Sequence, residues 1–102
     1  MAKASIRRNV AVLRSLGCLT PENLEKLKLG RAPLITRGPY AGEEAEVRYI
    51  VPVAGYPEFA GWFGNLEIMP MSLNGQRGDS MGPRQIRHLT TLRLARERGR
   101  GY

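Results

Sequence analysis

A chain of 102 residues fits a single domain with one modest hydrophobic core. Its 16 Lys and Arg residues outnumber 9 Asp and Glu residues, and the resulting charge of +7 favours polyanionic partners, nucleic acid before anionic membranes. A basic protein without such a partner is the alternative. The lone cysteine, Cys18, excludes a disulfide framework and a Cys-x-x-Cys zinc pair. Because no membrane span or signal peptide is recognised, a cytoplasmic location is expected.

Two amphipathic helices are predicted before residue 31. The first covers residues 4–17, because apolar side chains recur there at helical spacing. The second begins with Thr20 as N-cap and Pro21 in its first turn, and Gly30 ends it. The apolar residues expected on the buried faces of these helices are Ile6, Val10, Leu13, Leu24 and Leu27.

The middle of the chain changes to strand and turn signals. Residues 34–36 and 47–51 are short apolar runs separated by Gly and Pro, and they are predicted to pair as a hairpin with a long loop. Residues 65–69 predict a further short strand or turn. The loop over residues 53–64 is expected to pack its aromatic side chains as a satellite core. These side chains are Tyr56, Phe59, Trp62 and Phe63.

The last third of the chain predicts a short helix and a long one. Ser72 is the expected N-cap of the short helix, which reaches Arg77. The long helix covers residues 83–97, and the basic tail 98–102 is expected to be disordered. His88, the single histidine, is expected at the helix surface. The core face of the long helix is expected to carry Ile86, Leu89 and Leu92.

Three short motifs carry the functional signal: a strand ending in Arg48-Tyr49-Ile50-Val51-Pro52, the pair Asn65-Leu66, and Asn74 followed three positions later by Arg77. In order and spacing they resemble the HNH endonucleases, a family with the ββα-metal fold. The resemblance covers residues 33–78, about half of the chain. It implies an α+β fold in one domain, 1–102. A small ββα-metal (HNH-like) core would carry two N-terminal helices and a C-terminal helix.

The resemblance also implies a role for each position. The metal-binding carboxylate of the family falls at Arg48 and its catalytic base at Tyr49, while Asn65 would orient the base. Asn74 would complete the ligands of a divalent cation such as Mg²⁺ or Mn²⁺. Because a guanidinium repels a cation and a phenol stays protonated at neutral pH, no metal cofactor is expected here. The expected function is binding of DNA or RNA by an HNH-family protein whose nuclease activity is lost or strongly weakened.

Two other functions stay open. In an active endonuclease with a rearranged site, Arg48 would take over the electrostatic role of the metal. In a protein-interaction or inhibitor module, the aromatic residues 56–63 would anchor a protein partner. Asn65 and Asn74 could also serve only as turn and cap residues. The arginines expected to contact phosphates are Arg48, Arg77, Arg84 and Arg87.

Overall fold

The computed structural model describes residues 1–77 and 80–99, with Arg77 described through its backbone alone. This part of the chain forms a small α+β domain with four α-helices and a two-stranded antiparallel sheet. The elements are α1 (Ala2–Ser15), α2 (Pro21–Lys28), β1 (Ala45–Tyr49), β2 (Leu66–Pro70), α3 (Met71–Arg77) and α4 (Pro83–Glu97). Every described helix is too short or too polar to cross a lipid bilayer.

The sheet pairs different segments from those predicted. β1 lies antiparallel to β2, with Ala45 opposite Pro70 and Tyr49 opposite Leu66. The predicted partner, residues 34–36, contributes only the bridge between Leu34 and Glu44. Pro33 accepts a hydrogen bond from the Ala45 N–H at 2.9 Å but has no N–H to return. The ladder therefore stops there, and the long loop of the hairpin is residues 50–65.

Helix α3 follows β2 directly, so the chain order is strand, strand, helix. The helix begins at Met71, before the predicted cap residue Ser72. Both the backbone N–H and the hydroxyl of Ser72 donate to the Glu43 carboxylate, at 2.9 and 3.0 Å. A glutamate from the turn before β1 thus caps α3, and the local sequence around the helix start does not contain this cap.

The aromatic loop and α4 share the larger of two cores. Phe59 and Trp62 pack edge to face, with ring centroids 5.0 Å apart. The buried residues of this cluster are Val51, Phe59, Trp62, Leu89, Leu92 and Ala95. The expected satellite core is therefore part of a main core. Cys18 lies in the second cluster with Ile35 and Ala45, as a fully buried small residue.

The helices bury polar residues where apolar stripes were predicted. Asn23 of α2 is buried because its side-chain amide donates to the Leu34 carbonyl and accepts from the Leu34 N–H, both at 2.8 Å. Ser5 of α1 and Gln85 of α4 are buried as well. The apolar residues left exposed, against prediction, are Ile6, Val10, Leu24, Leu27 and Ile86.

The helix ends follow the sequence signals more closely. Thr20 accepts a hydrogen bond from the Asn23 N–H at 3.2 Å and caps α2 as predicted. Gly17 follows α1 with φ +69°, a conformation that favours glycine. α4 has the predicted bounds, and its end continues as a turn through residues 98–99, so that part of the tail is ordered. The rest of the predicted disordered tail, residues 100–102, lies outside the described residues.

Candidate functional site

Two of the residues singled out from the sequence, Arg48 and Asn74, meet where α3 packs on β1. Arg48 donates from Nη1 to the side-chain oxygen Oδ1 of Asn74 at 2.9 Å. The Asn74 amide nitrogen in turn donates to the Glu46 carboxylate at 3.1 Å. The oxygen that the resemblance assigns to a metal is therefore a hydrogen-bond acceptor for a guanidinium.

This arrangement does not fit a divalent cation. Mg²⁺ and Mn²⁺ prefer several oxygen ligands with negative charge among them, whereas Asn74 offers one neutral oxygen that faces a positive charge. Within residues 1–77 and 80–99, no three His, Cys, Asp or Glu side chains come together as a metal site. The site instead holds the Arg48 guanidinium in place through its hydrogen bond to Asn74.

Tyr49 lies away from this pair. Neighbouring residues of a strand point to opposite faces of the sheet, so Tyr49 and Arg48 do not share a face. The Tyr49 hydroxyl accepts a hydrogen bond from the Gly61 N–H at 3.0 Å. Its position makes it a tether for the loop over residues 50–65.

Asn65 is fully buried and holds the two ends of that loop together. Its Oδ1 accepts from the Val51 N–H at 2.9 Å, and its Nδ2 donates to the Val51 carbonyl at 3.0 Å. The Asn65 carbonyl also accepts from the Ile50 N–H at 2.9 Å. Asn65 therefore positions the backbone just after Arg48 and Tyr49, and its amide makes no hydrogen bond to the Tyr49 hydroxyl.

The predicted phosphate contacts Arg84 and Arg87 lie elsewhere, in a cleft of about 410 Å³ between α1, β2 and α4. We call it the α1–α4 cleft. Its charged and titratable lining residues are Arg8, Glu67, Arg84, Arg87 and His88. The side chain of Arg77 lies outside the described residues.

Hydrogen bonds fix several of the groups that line this cleft. Arg84 forms an ion pair with the buried carboxylate of Glu67. Arg8 donates from Nη2 to the Leu66 carbonyl at 3.0 Å, which ties α1 to the start of β2. Arg87 is exposed at the rim. The cleft thus combines three guanidinium groups with a single carboxylate.

His88 lies on α4, as predicted, and is half-buried in the cleft. Its Nε2 lies 2.7 Å from the Gly64 carbonyl oxygen. Burial lowers the pKa of His88 from its ordinary value of 6.5, and the nearby charges of Arg8 and Arg84 lower it further. The Gly64 hydrogen bond and Glu67 oppose this shift. The lowered pKa favours the neutral imidazole at pH 7.

The sequence predicts the side of the cleft that α4 forms. Residues 84, 87, 88 and 91 follow the spacing of one helical face, and all four line the cleft. Arg8 comes from the opposite end of the chain, and only the packing of α1 on β2 brings it there.

Comparisons with protein-family models, with curated proteins and with solved structures give no match. The features that bear on function are the order of the motifs and the geometry of the two arginine sites.

Proposed function

We propose that this chain is a nucleic-acid-binding domain of the HNH type whose nuclease centre is degenerate. The observation that carries the proposal is the hydrogen bond from Arg48 to Asn74, within a unit of strand, strand and helix. A guanidinium held at this point offers phosphate the charge and donors that a metal ion would otherwise supply. The protein can then bind a nucleic-acid phosphate without a metal ion, but it lacks the metal ion that phosphodiester hydrolysis requires in this family.

The distribution of the aromatic residues favours this function over a protein-interaction module. Phe59 and Trp62 are buried in the main core and are not accessible as anchors for a partner, although Phe63 is exposed. Interface hot spots need large side chains that a partner can bury. Phe59 and Trp62, two of the aromatic residues that suggested a protein partner, thus pack in the core of the domain.

The position of Tyr49 argues against the rearranged endonuclease. A general base must lie within hydrogen-bonding reach of the water that it activates. The Tyr49 hydroxyl accepts from Gly61 and belongs to the other face of the sheet from Arg48. A phenol in that place does not share a substrate phosphate with the Arg48 guanidinium.

Fluorescence anisotropy with a labelled DNA duplex tests the binding. If the protein contacts about 4–6 phosphates, log K falls against log salt with a slope of roughly −4 to −5. A parallel titration with RNA of the same sequence determines which nucleic acid is preferred. Absence of binding at about 50 mM salt would refute the proposed function.

A plasmid-nicking assay tests the loss of catalysis. We expect supercoiled plasmid to stay intact with Mg²⁺, with Mn²⁺ and with EDTA, because Arg48 and Tyr49 occupy the positions of the metal-binding carboxylate and the base. Nicking that persists in EDTA would support the rearranged endonuclease, with Arg48 replacing the cation. Nicking that requires a metal would show that the degeneracy argument is wrong.

A further inference from the structure

We propose that the α1–α4 cleft binds a phosphate of a nucleotide unit, and that the imidazole of His88 couples this binding to pH. The inference rests on the proposed function, because it assigns one phosphate of the bound strand to this cleft. It adds Arg8 and His88 to the contacts expected from the sequence. Neither Arg48 nor Asn74 lines the cleft, although Glu67, which does, lies opposite Arg48 in the sheet.

The charge of the cleft favours an anionic ligand. Arg8, Arg84 and Arg87 converge on the cleft, and Glu67, the one carboxylate in its lining, already pairs with Arg84. A guanidinium has five N–H donors, and Arg8 uses one of them for the Leu66 carbonyl. Like charges brought together in this way destabilise the fold unless an anion compensates them. Phosphate is the anion that forked guanidinium donors fit best.

The size and lining of the cleft favour a nucleotide unit as its ligand. A volume of about 410 Å³ lies in the range of small-ligand sites, roughly 300–1,000 Å³. Apolar side chains of Val12, Ile50 and Ile68 also line the cleft. These walls suit a sugar or a base, while the arginines suit the phosphate. A nucleotide unit therefore satisfies the lining better than inorganic phosphate.

The surroundings of His88 link phosphate binding to protonation of its imidazole. The groups that face its imidazole are Arg8 from α1, Glu67 from β2, Arg84 from its own helix and the Gly64 carbonyl. In the free protein, burial and the two arginines disfavour the imidazolium. A bound phosphate offsets both arginines and adds a negative charge, so it favours protonation of His88. By linkage, protonation of His88 strengthens phosphate binding by the same factor.

A proton NMR titration of His88 tests the site directly. Because His88 is the chain's single histidine, its ring signals report one pKa without assignment of other residues. We expect a thymidine dinucleotide, which carries one phosphodiester, to raise the pKa of His88. A rise of one unit corresponds to about tenfold tighter binding by the protonated form. Inorganic phosphate in a parallel titration shows whether the phosphate alone is enough or the nucleoside contributes.

Two charge-matched variants make this test specific. Arg87→Gln removes an exposed arginine from the cleft, whereas Arg31→Gln removes an exposed arginine that lies outside it. We expect the ligand-induced rise to shrink in Arg87→Gln and to persist in Arg31→Gln. An equal rise in both variants, or no rise in the wild-type protein at saturating dinucleotide, overturns the inference.

Oligonucleotide binding by the same variants separates this inference from the proposed function. We expect Arg87→Gln to weaken binding roughly tenfold and Arg31→Gln much less. His88→Gln, which keeps a donor for the Gly64 carbonyl, should abolish the gain in affinity between about pH 7.5 and about pH 5.5. If oligonucleotide binding is unaffected by the cleft variants, the cleft inference is wrong and the proposed function stands. If the dinucleotide shifts His88 but no polymer binds, the site stands and the proposed function fails.

Discussion

Arg48 shows how one side chain changes the chemistry available at a site. Its guanidinium bonds the Asn74 amide, which in turn bonds the Glu46 carboxylate, so the charge of Arg48 lies beside groups that would otherwise suit a cation. Glu67 lies directly opposite Arg48 in the sheet, with Cβ atoms about 5 Å apart in such pairs. The Glu67 carboxylate pairs with Arg84, so removal of the guanidinium would leave the Glu46 carboxylate and the Asn74 amide oxygen at this point.

We therefore expect Arg48→Asp to bind Mn²⁺ while the wild-type protein shows no saturable binding below roughly millimolar concentration. The new carboxylate would join Glu46 and Asn74 as an oxygen ligand. Isothermal calorimetry measures both proteins, and Arg48→Gln serves as a control that removes the charge without adding a carboxylate. A micromolar site in the wild-type protein would contradict the argument.

His88 provides a second prediction at the residue scale. Its pKa is lowered in the folded state, chiefly by burial, so the unfolded chain binds more protons than the folded one at mildly acidic pH. The contribution of His88 to the free energy of unfolding is therefore fully present above the unfolded-state pKa of about 6.5. It is lost as the pH falls toward the folded-state pKa.

Urea unfolding at several pH values between about 7.5 and about 5.5 measures this loss. We expect the wild-type protein to lose free energy of unfolding across that range and His88→Gln to lose less. The same slope in both proteins would mean that other groups carry the effect.

At the scale of elements, the loop over residues 50–65 depends on a polar clamp. Asn65 satisfies both backbone groups of Val51 in a fully buried position. Asn65→Ala would leave a buried N–H and a buried carbonyl without partners, and we expect a loss of about 2–4 kcal/mol in the free energy of unfolding. The melting temperature should fall by roughly 10 °C or more.

Asn74→Ala is the matched control for this clamp. Asn74 is half-buried, and the partners of its side chain are the side chains of Arg48 and Glu46. We expect a loss on the order of 1 kcal/mol, in the range of an ordinary hydrogen bond. Similar losses in the free energy of unfolding for the two variants would show that the hydrogen bonds of Asn65 to Val51 stabilise the fold no more than those of Asn74.

The elements also show what the sequence predicts and where prediction stops. Caps and breakers act locally, so Thr20, Gly30 and the bounds of α4 were predicted correctly. The faces of the helices depend on tertiary partners. Asn23 is buried because the backbone of Leu34 comes to it, and no local pattern contains that information. The predicted strand pair failed because Pro33 has no N–H to extend the bridge between Leu34 and Glu44, whereas β2 forms five residue pairs with β1.

At the scale of the whole molecule, the two arginine sites differ in how far the sequence predicts them. Arg48 and Asn74 belong to motifs whose order predicts their proximity, and the structure brings them together. The cleft joins Arg8 near the start of the chain to Arg87 near its end, across β2. Such a site depends on how α1 and α4 pack, so the sequence predicts its α4 arginines and not their partners.

Because the cleft draws on both ends of the chain, a ligand in it should stabilise the whole fold. Bound phosphate would link α1, β2 and α4 and would compensate their convergent positive charge. Saturation to about 100 times the dissociation constant contributes roughly 2.7 kcal/mol to the free energy of unfolding. For a domain of this size that corresponds to a rise of roughly 10–20 °C in melting temperature.

Differential scanning fluorimetry with the thymidine dinucleotide, in KCl of matched ionic strength, measures this rise. Arg31→Gln should show the full effect, because its charge lies outside the cleft, and Arg87→Gln a smaller one. Added salt should reduce the rise by screening the arginines at the rim. A rise of equal size in both variants would assign the stabilisation to the net charge of +7 rather than to the cleft. The comparison thus distinguishes a built site from general attraction between a basic protein and an anion.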